Sequence, residues 1–428
     1  MSKKDYLEIE GGIPLTGSVT ISGSKNAALP ILCACVLAND KCRIENLPDI
    51  EDIHRILEIL AKLGAGIKEI DSGVIEIDPT TIKSHIVTYE MASKLRASYY
   101  MLGALLARFG IAEINQPGGC SIGQRPMDFH IKGMRALGAE VTERGAVITA
   151  KADKLVGADI YLDIASVGAT INIMLAACCA EGKTTINNAA REPHVVDVAN
   201  FLNLMGASIR GAGTDVIRIN GRDSFKGCTY AVIPDQIEAG TYMIAAAATG
   251  GNVTIKNVIP IHLDSLSAKL MECGVDVKTK DSGSDFVIEV NSSGRPRPVT
   301  IKTMPYPGFP TDLQQPMTSM LAVAEGTSTI TENLFENRFN HADELSRMGA
   351  DIKIYGRNAQ ITGVPKLYGA DVVATDLRAG AAMVVAALMA EGITRIRNLY
   401  YIDRGYERLE EKLIGLGARI KRIHVEDE

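Results

Sequence analysis

Leu63-Gly64-Ala65, Leu137-Gly138-Ala139, Met205-Gly206-Ala207, Cys273-Gly274-Val275, Met348-Gly349-Ala350 and Leu416-Gly417-Ala418 are one short phrase written six times along the chain. Its glycines stand 74, 68, 68, 75 and 68 residues apart. A glycine behind a run of helix formers suits a helix C-cap, where the backbone turns left-handed. A short β-branched run follows, as in Ala418-Arg419-Ile420, and reads as a strand. A second signature precedes each first one. An Ala-rich helix ends at a pair such as Glu181-Gly182, Glu325-Gly326 or Glu391-Gly392, and a strand then ends near an asparagine. Those asparagines are Asn46, Asn115, Asn188, Asn257, Asn333 and Asn398. Each repeat thus holds at least two helices and several strands in about 70 residues, beyond the roughly 20–50-residue period of a solenoid. Six α/β modules are expected instead. The Ala-rich helices, such as Tyr242 to Ala248 and Ala379 to Ala390, are apolar on nearly every side, which marks them as buried all round. Helices inside and sheets outside would satisfy that pattern.

The chain has 428 residues, enough for about two to four domains. Apolar content of 46% and charged content of 22% are ordinary for a soluble globular protein. The net charge is -6 and no long basic block occurs, which argues against nucleic acid as the main partner. An anionic ligand would then need a local cationic pocket. Met1-Ser2-Lys3-Lys4 leads into no long apolar run, and Ile171 to Ala180 is too short to span a bilayer. Neither a signal peptide nor membrane insertion is expected. None of the eight cysteines forms a C-x-x-C pair, and the seven histidines show no metal-type spacing. No metal and no cofactor are expected, and the setting is a reducing cytoplasm.

One cysteine differs from the rest. Cys120 lies in Gln116-Pro117-Gly118-Gly119-Cys120-Ser121-Ile122-Gly123-Gln124-Arg125-Pro126, a thiol after two glycines with a proline on each side. That composition belongs to a loop, where glycines permit close approach to a ligand. Arg125 can hold an anion beside the thiol and lower its pKa. A buried structural cysteine is the competing reading.

This run closely resembles the catalytic loop of the UDP-N-acetylglucosamine 1-carboxyvinyltransferase family of enolpyruvyl transferases. The resemblance recurs in order at Gly23-Ser24-Lys25-Asn26, Ser166-Val167-Gly168-Ala169-Thr170, Asn188-Ala189-Ala190-Arg191-Glu192-Pro193 and Phe309-Pro310-Thr311-Asp312. It continues at Phe335-Glu336-Asn337-Arg338, Ala374-Thr375-Asp376-Leu377-Arg378 and Ile402-Asp403-Arg404-Gly405-Tyr406-Glu407-Arg408. It implies an α/β fold of two inside-out barrel domains, each of three similar units, with the active site between them. One domain would run from residue 25 to 233 and carry the Cys120 loop. The other would join residues 1–24 to 234–428.

The implied reaction moves an enolpyruvyl group from phosphoenolpyruvate to the 3-hydroxyl of UDP-N-acetylglucosamine, releasing phosphate, as the first committed step toward peptidoglycan. The chain would then bear on cell shape, division and cycle and be a fosfomycin target, a monomer acting on these two small molecules. Several cations must converge on so anionic a substrate. Addition across its double bond needs a proton donor at the methylene carbon and a base for the sugar hydroxyl.

By resemblance Cys120 is the proton donor and Asp312 the general base. Lys25, Asn26, Arg96, Arg125 and Arg404 would bind phosphoenolpyruvate and the reacting groups. Arg378 would add positive charge, with Asp376 a weaker candidate beside it. Pro126, Met127, Asp128 and Phe129 would contact the uracil side, and Ser166, Val167 and Gly168 the diphosphate. Leu334 and Arg338 match a further ligand-side segment. Read without the resemblance, Lys25 is as readily a solvated lysine, Arg96 a helix-edge arginine, and Asp312 or Asp376 a helix N-cap. Gln236 stands where many members carry arginine, and Ile164 where some carry lysine. A related activity on shikimate 3-phosphate is the alternative. A non-catalytic repeat scaffold is a third reading, against which Cys120, Lys25 and Asp312 all speak.

Overall fold

The computed structural model describes residues 5–116, 127–283 and 285–425. Cys120, Arg125 and Pro126 fall outside them. The described chain divides into two units. An inserted unit spans residues 23–116 and 127–233, and a discontinuous unit joins 5–22 to 234–425. The chain passes between them at Ser22/Gly23 and Ile233/Pro234.

Each unit carries three four-stranded sheets of one pattern, a parallel pair followed by two antiparallel strands. In one of them Asp159–Tyr161 runs parallel to Lys183–Asn187, and the buried helix Val167–Ala177 makes the crossover. Helix Pro193–Leu204 then leads to Ser208–Arg210 and Val216–Asn220, which complete the sheet antiparallel. Three sheets borrow a strand from far along the chain, one of them by setting Thr16–Thr20 parallel to Asn252–Lys256. Thr229–Ala231 pairs with Cys42–Glu45 and so joins the end of the inserted unit to its beginning. Tyr6–Glu10 lies between Ile393–Arg397 and Arg419–Ile423, joining the first strand of the discontinuous unit to its last.

The helices of the crossovers form the cores. Gln236–Ala248, Gln314–Leu321 and Leu377–Met389 pack on one another, and almost every residue in them is buried. Alanine and glycine allow such close approach, and a helix without a polar face has no other stable place. Each unit is therefore an α/β barrel turned inside out, with helices at the centre and sheets around them. Among the described residues no helix is long and apolar enough to cross a membrane.

Both repeated signatures have a structural cause. The glycine of every Leu-Gly-Ala copy has φ between 90° and 108°. Each closes a Schellman cap: the Ala65 N–H donates to Leu60 and the Gly64 N–H to Ala61, both at 3.0 Å. The same pair of bonds closes the helices before Gly138, Gly206, Gly274, Gly349 and Gly417. The asparagines act as latches. Each Asn side chain donates from Nδ2 to the carbonyl at the end of its sheet's parallel edge strand: Asn46 to Val232, Asn115 to Val87, Asn188 to Leu162, Asn257 to Ile21, Asn333 to Thr303 and Asn398 to Ala374, at 2.7–3.5 Å. Four of them, Asn46, Asn188, Asn257 and Asn398, have φ of 54–62°, a left-handed conformation that asparagine tolerates better than most residues.

Candidate active site

In the discontinuous unit, two buried arginines converge on Asp312. Arg338 donates from Nη2 to Oδ1 at 2.6 Å, and Arg378 donates from Nε and Nη2 to Oδ2 at 3.2 and 3.0 Å. The arginine side chains are 3% and 4% exposed, whereas that of Asp312 is 25% exposed. The carboxylate thus sits at the surface end of a buried cationic pair. Asp312 lies in the short 3-10 turn Thr311–Leu313, whose N-cap is Pro310, so it caps no helix.

Asp376 does cap one. Its Oδ1 accepts from the N–H groups of Arg378 and Ala379 at 2.8 and 3.0 Å, and Gln315 donates to its Oδ2 at 3.2 Å. That cap fixes the first turn of helix Leu377–Met389 and so aims Arg378. The Arg378 guanidinium also donates from Nη1 to the Tyr406 hydroxyl at 3.1 Å and lies over its ring. Burial opposes the charge on Arg378, but Tyr406 and Asp312 outweigh it and raise its pKa. Gly405 packs so tightly on Leu377 that a β-carbon there would meet its side chain at 2.8 Å. Arg404, the residue before Gly405, is half-buried.

Glu332 organises the other side of the cluster. It is 1% exposed. Its Oε1 accepts from Thr303 Oγ1 and from the backbone N–H groups of Leu334 and Phe335, at 2.8–3.2 Å. Its Oε2 accepts from Thr311 Oγ1 at 2.7 Å, and Thr311 in turn accepts from Arg338 Nη1 at 3.0 Å. Leu334 and Arg338 are thereby tied to the turn that carries Asp312. The sequence alone assigned no role to Thr311 or Tyr406, which stand in quoted motifs, and did not mark Glu332 at all. Glu332 follows strand Thr327–Thr331 as one more polar residue, and no periodicity marks it as buried.

His341 is fully buried behind this cluster, near Asp376 and Arg338. Burial lowers its pKa from 6.5 to about 4, with Asp376 pulling the other way and Arg338 adding to the fall. Between those values the unfolded chain binds a proton that the folded chain refuses, so stability falls as pH drops through 6.5 toward 4. His341→Gln is expected to flatten that part of the stability–pH curve, removing a slope worth on the order of 3 kcal/mol. Urea unfolding of both proteins at several pH values checks it. Parallel curves would remove His341 as the source.

In the inserted unit, Lys25 opens the helix Lys25–Ala34 after Ser24. It is 9% exposed, not solvated, and its Nζ donates to Asp52 Oδ2 at 3.2 Å. Asn26, next to it, is partly exposed. Arg96 begins the 3-10 turn Arg96–Tyr99 and lies close enough to His130 to help lower that group's pKa to about 3, burial being the larger cause. His130 Nδ1 meets Asn172 Nδ2 at 2.9 Å, and Asn172 also bonds the Tyr99 carbonyl and the Gly103 N–H.

This polar core supports the segments expected to face the nucleotide sugar. Met127 is the buried N-cap residue of helix Asp128–Ala136, Asp128 is exposed and Phe129 half-buried. Ser166 caps helix Val167–Ala177 by accepting from the Ala169 N–H at 3.3 Å. Val167 and Gly168 form its first turn. A β-carbon on Gly168 would meet the Tyr99 hydroxyl at 2.9 Å and His130 Cε1 at 3.1 Å. That glycine is needed for packing whatever it touches in a ligand. Lys132 and Asp163, paired at 2.8 Å, link the same two segments. The structure therefore gathers Arg96, Met127 to Phe129 and Ser166 to Gly168 in one unit, and Asp312, Leu334, Arg338, Asp376, Arg378 and Arg404 in the other.

The family model described as EPSP synthase (3-phosphoshikimate 1-carboxyvinyltransferase) matches residues 9–413. A UDP-N-acetylglucosamine 1-carboxyvinyltransferase of Clostridium botulinum is 58% identical over 97% of this chain and 99% of its own length. The chain belongs to the UDP-N-acetylglucosamine 1-carboxyvinyltransferase family. Bacillus subtilis has a further member, UDP-N-acetylglucosamine 1-carboxyvinyltransferase 2, 54% identical over 99% of this chain and 98% of its own. Among solved structures, the enolpyruvyl transferase NikO from Streptomyces tendae superposes with a TM-score of 0.87 at 28% identity, covering 98% of both chains. An EPSP synthase from Acinetobacter baumannii, at 20% identity and TM-score 0.75 over 98% of this chain and all of its own, shares the fold.

At the two positions where this family member departs from the expected pattern, the structure shows different settings. Gln236 opens helix Gln236–Ala248 behind the cap residue Asp235, and its Oε1 is buried without a hydrogen-bond partner. Ile164 is 61% exposed, an apolar side chain on the surface beside Asp163.

Proposed function

We propose that this protein transfers the enolpyruvyl group of phosphoenolpyruvate to the 3-hydroxyl of UDP-N-acetylglucosamine, releasing phosphate, and so supplies peptidoglycan synthesis. The observation that carries the reading is the near-full-length match at 58% identity to a carboxyvinyltransferase named for that nucleotide sugar. The carboxylate at Asp312, held between Arg338 and Arg378, supports it chemically.

The reaction proceeds in two balanced stages. The sugar oxygen attacks C2 of phosphoenolpyruvate as its proton passes to Asp312, while a proton is added at the C3 methylene. The tetrahedral adduct then loses phosphate from C2 and a proton from C3, which restores the double bond. Asp312 is the base, positioned by Arg338 and Arg378. Lys25, Arg96, Arg125 and Arg404 balance the carboxylate and phosphate charge, since an anion of this kind needs several charge-assisted hydrogen bonds. Asn26 hydrogen-bonds the reacting groups. The protein would work in the cytoplasm as a monomer.

Phosphate release from phosphoenolpyruvate tests the proposal. It should require UDP-N-acetylglucosamine and should not occur with shikimate 3-phosphate. Release with shikimate 3-phosphate alone would replace the reading by its relative.

Cys120 lies outside the described residues, and its role as proton donor rests on its sequence setting. Arg125, nearby in sequence, favours the thiolate when no anion is bound. An epoxide bearing a phosphonate, of the fosfomycin type, is therefore expected to alkylate Cys120 and spare the other cysteines, faster with nucleotide sugar present. Burial supports the contrast: it raises the pKa of the Cys33 and Cys178 thiols and pushes Cys179 and Cys273 up to about 12. Cys120→Asp should stay active and resist the epoxide, and Cys120→Ala should lose most product formation. Peptide mass spectrometry showing adducts elsewhere and none on Cys120 would remove the thiol from the mechanism.

A further inference from the structure

The sheet that joins the two ends of the inserted unit also gathers three thiols. Strand Thr229–Ala231 runs parallel to Cys42–Glu45 with Thr229 opposite Arg43, and the Arg43 N–H donates to the Cys228 carbonyl at 2.8 Å. One step earlier in this register, Cys228 faces Cys42. Their thiols are in hydrogen-bond contact, and the Cys42 thiol also touches that of Cys35. Cys35 begins the 3-10 turn Cys35–Leu37 and donates its own S–H to the Ile31 carbonyl at 3.3 Å. Cys35 and Cys42 are fully buried and Cys228 is half-buried.

We propose that Cys42 and Cys228 form a reversible oxidation site, which hydrogen peroxide closes to a disulfide. Neighbouring strands lie about 4.8 Å apart, inside the roughly 4.4–6.8 Å window of Cα separations that a disulfide spans. Facing residues of a parallel pair project to the same side of the sheet, and the thiol contact shows that these two do. Cys228 gives the oxidant its way in. Peroxide oxidises one thiol to a sulfenic acid and leaves as water; the partner sulfur then attacks that sulfur and expels a second water. Two thiols and one peroxide become one disulfide and two waters. Cys35 is the poorer partner, because it is fully buried and its S–H is committed to Ile31. The bond would tie the last strand of the inserted unit to its first sheet, making covalent a closure that now rests on hydrogen bonds.

The test uses the whole protein. After hydrogen peroxide and a catalase quench, it is denatured in N-ethylmaleimide and digested without reductant. A cross-linked pair of peptides holding Cys42 and Cys228 is expected, with roughly tenfold less maleimide on both and full recovery after dithiothreitol. Cys228→Ala, checked for folding by circular dichroism, should abolish the pair and leave Cys42 open to maleimide. Full maleimide labelling of both cysteines, at a dose where methionines already gain oxygen, would overturn the proposal. So would a bridge from Cys42 to Cys35, or a Cys228 that gains two or three oxygens in place of a bond.

Discussion

Asp312→Asn is expected to lower turnover by about a hundredfold to ten-thousandfold, the usual range for loss of a general base. Binding of UDP-N-acetylglucosamine should change little, because an amide can still hydrogen-bond a sugar hydroxyl but cannot take its proton. The structure sharpens the expectation. Three hydrogen bonds reach this carboxylate from guanidinium N–H groups of Arg338 and Arg378. An amide turns one acceptor into a donor, which must then face an arginine. Because that contact shifts the arginines, binding and turnover are measured separately. Isothermal titration with the nucleotide sugar reads the first, and single-turnover phosphate release the second. The pH dependence is a third readout, since the acidic limb of the rate profile should vanish with the base. Near-full turnover in the variant would reduce Asp312 to an anchor for two arginines and place the base elsewhere.

The repeat was the most legible part of this fold, because it is made of backbone necessities. A left-handed C-cap demands glycine, and six glycines at similar intervals therefore show in the sequence wherever helices end. The asparagines were equally visible as strand ends, but their purpose was not. A latch needs a partner carbonyl, and for Asn46 and Asn257 that carbonyl lies at Val232 and Ile21, far along the chain. Strand exchange was hidden for the same reason. Nothing in Tyr6–Glu10 says that it lies between two strands near the other end of the protein.

Within the candidate site, legibility followed the type of argument available. Asp312 and Asp376 look alike from sequence, each an aspartate at the entrance to a helix. The structure separates them: Asp376 spends its Oδ1 on two backbone N–H groups, and Asp312 gives both oxygens to arginines. Glu332 escaped notice because a buried carboxylate is recognised by its donors, and its side-chain donors, Thr303 and Thr311, lie on an earlier segment. Gly168 was read as making room for a diphosphate, and it also makes room for Tyr99 and His130. Lys25, read alone, passes for an ordinary surface lysine at the start of a helix. Asp52, 2% exposed on the next helix, is what draws it inside.

That pair sets up the second large effect. Lys25→Ala is expected to destabilise the inserted unit by about 3–5 kcal/mol, since it removes the cation beside a buried carboxylate. It should also lower kcat/KM for phosphoenolpyruvate by roughly ten- to hundredfold or more, from loss of a charged hydrogen bond worth about 1.5–3 kcal/mol. The single variant cannot separate the two causes, because a weakened fold also loses activity. Lys25→Met combined with Asp52→Asn separates them. Methionine keeps most of the volume of the lysine stem, and the neutral amide no longer needs a cation. The double variant should recover most of the unfolding free energy and none of the activity toward phosphoenolpyruvate. Urea unfolding and initial rates at varied phosphoenolpyruvate give both numbers from one preparation. If the double variant regains turnover along with stability, Lys25 is there to neutralise Asp52, and the cations that hold phosphoenolpyruvate must be sought among the arginines alone.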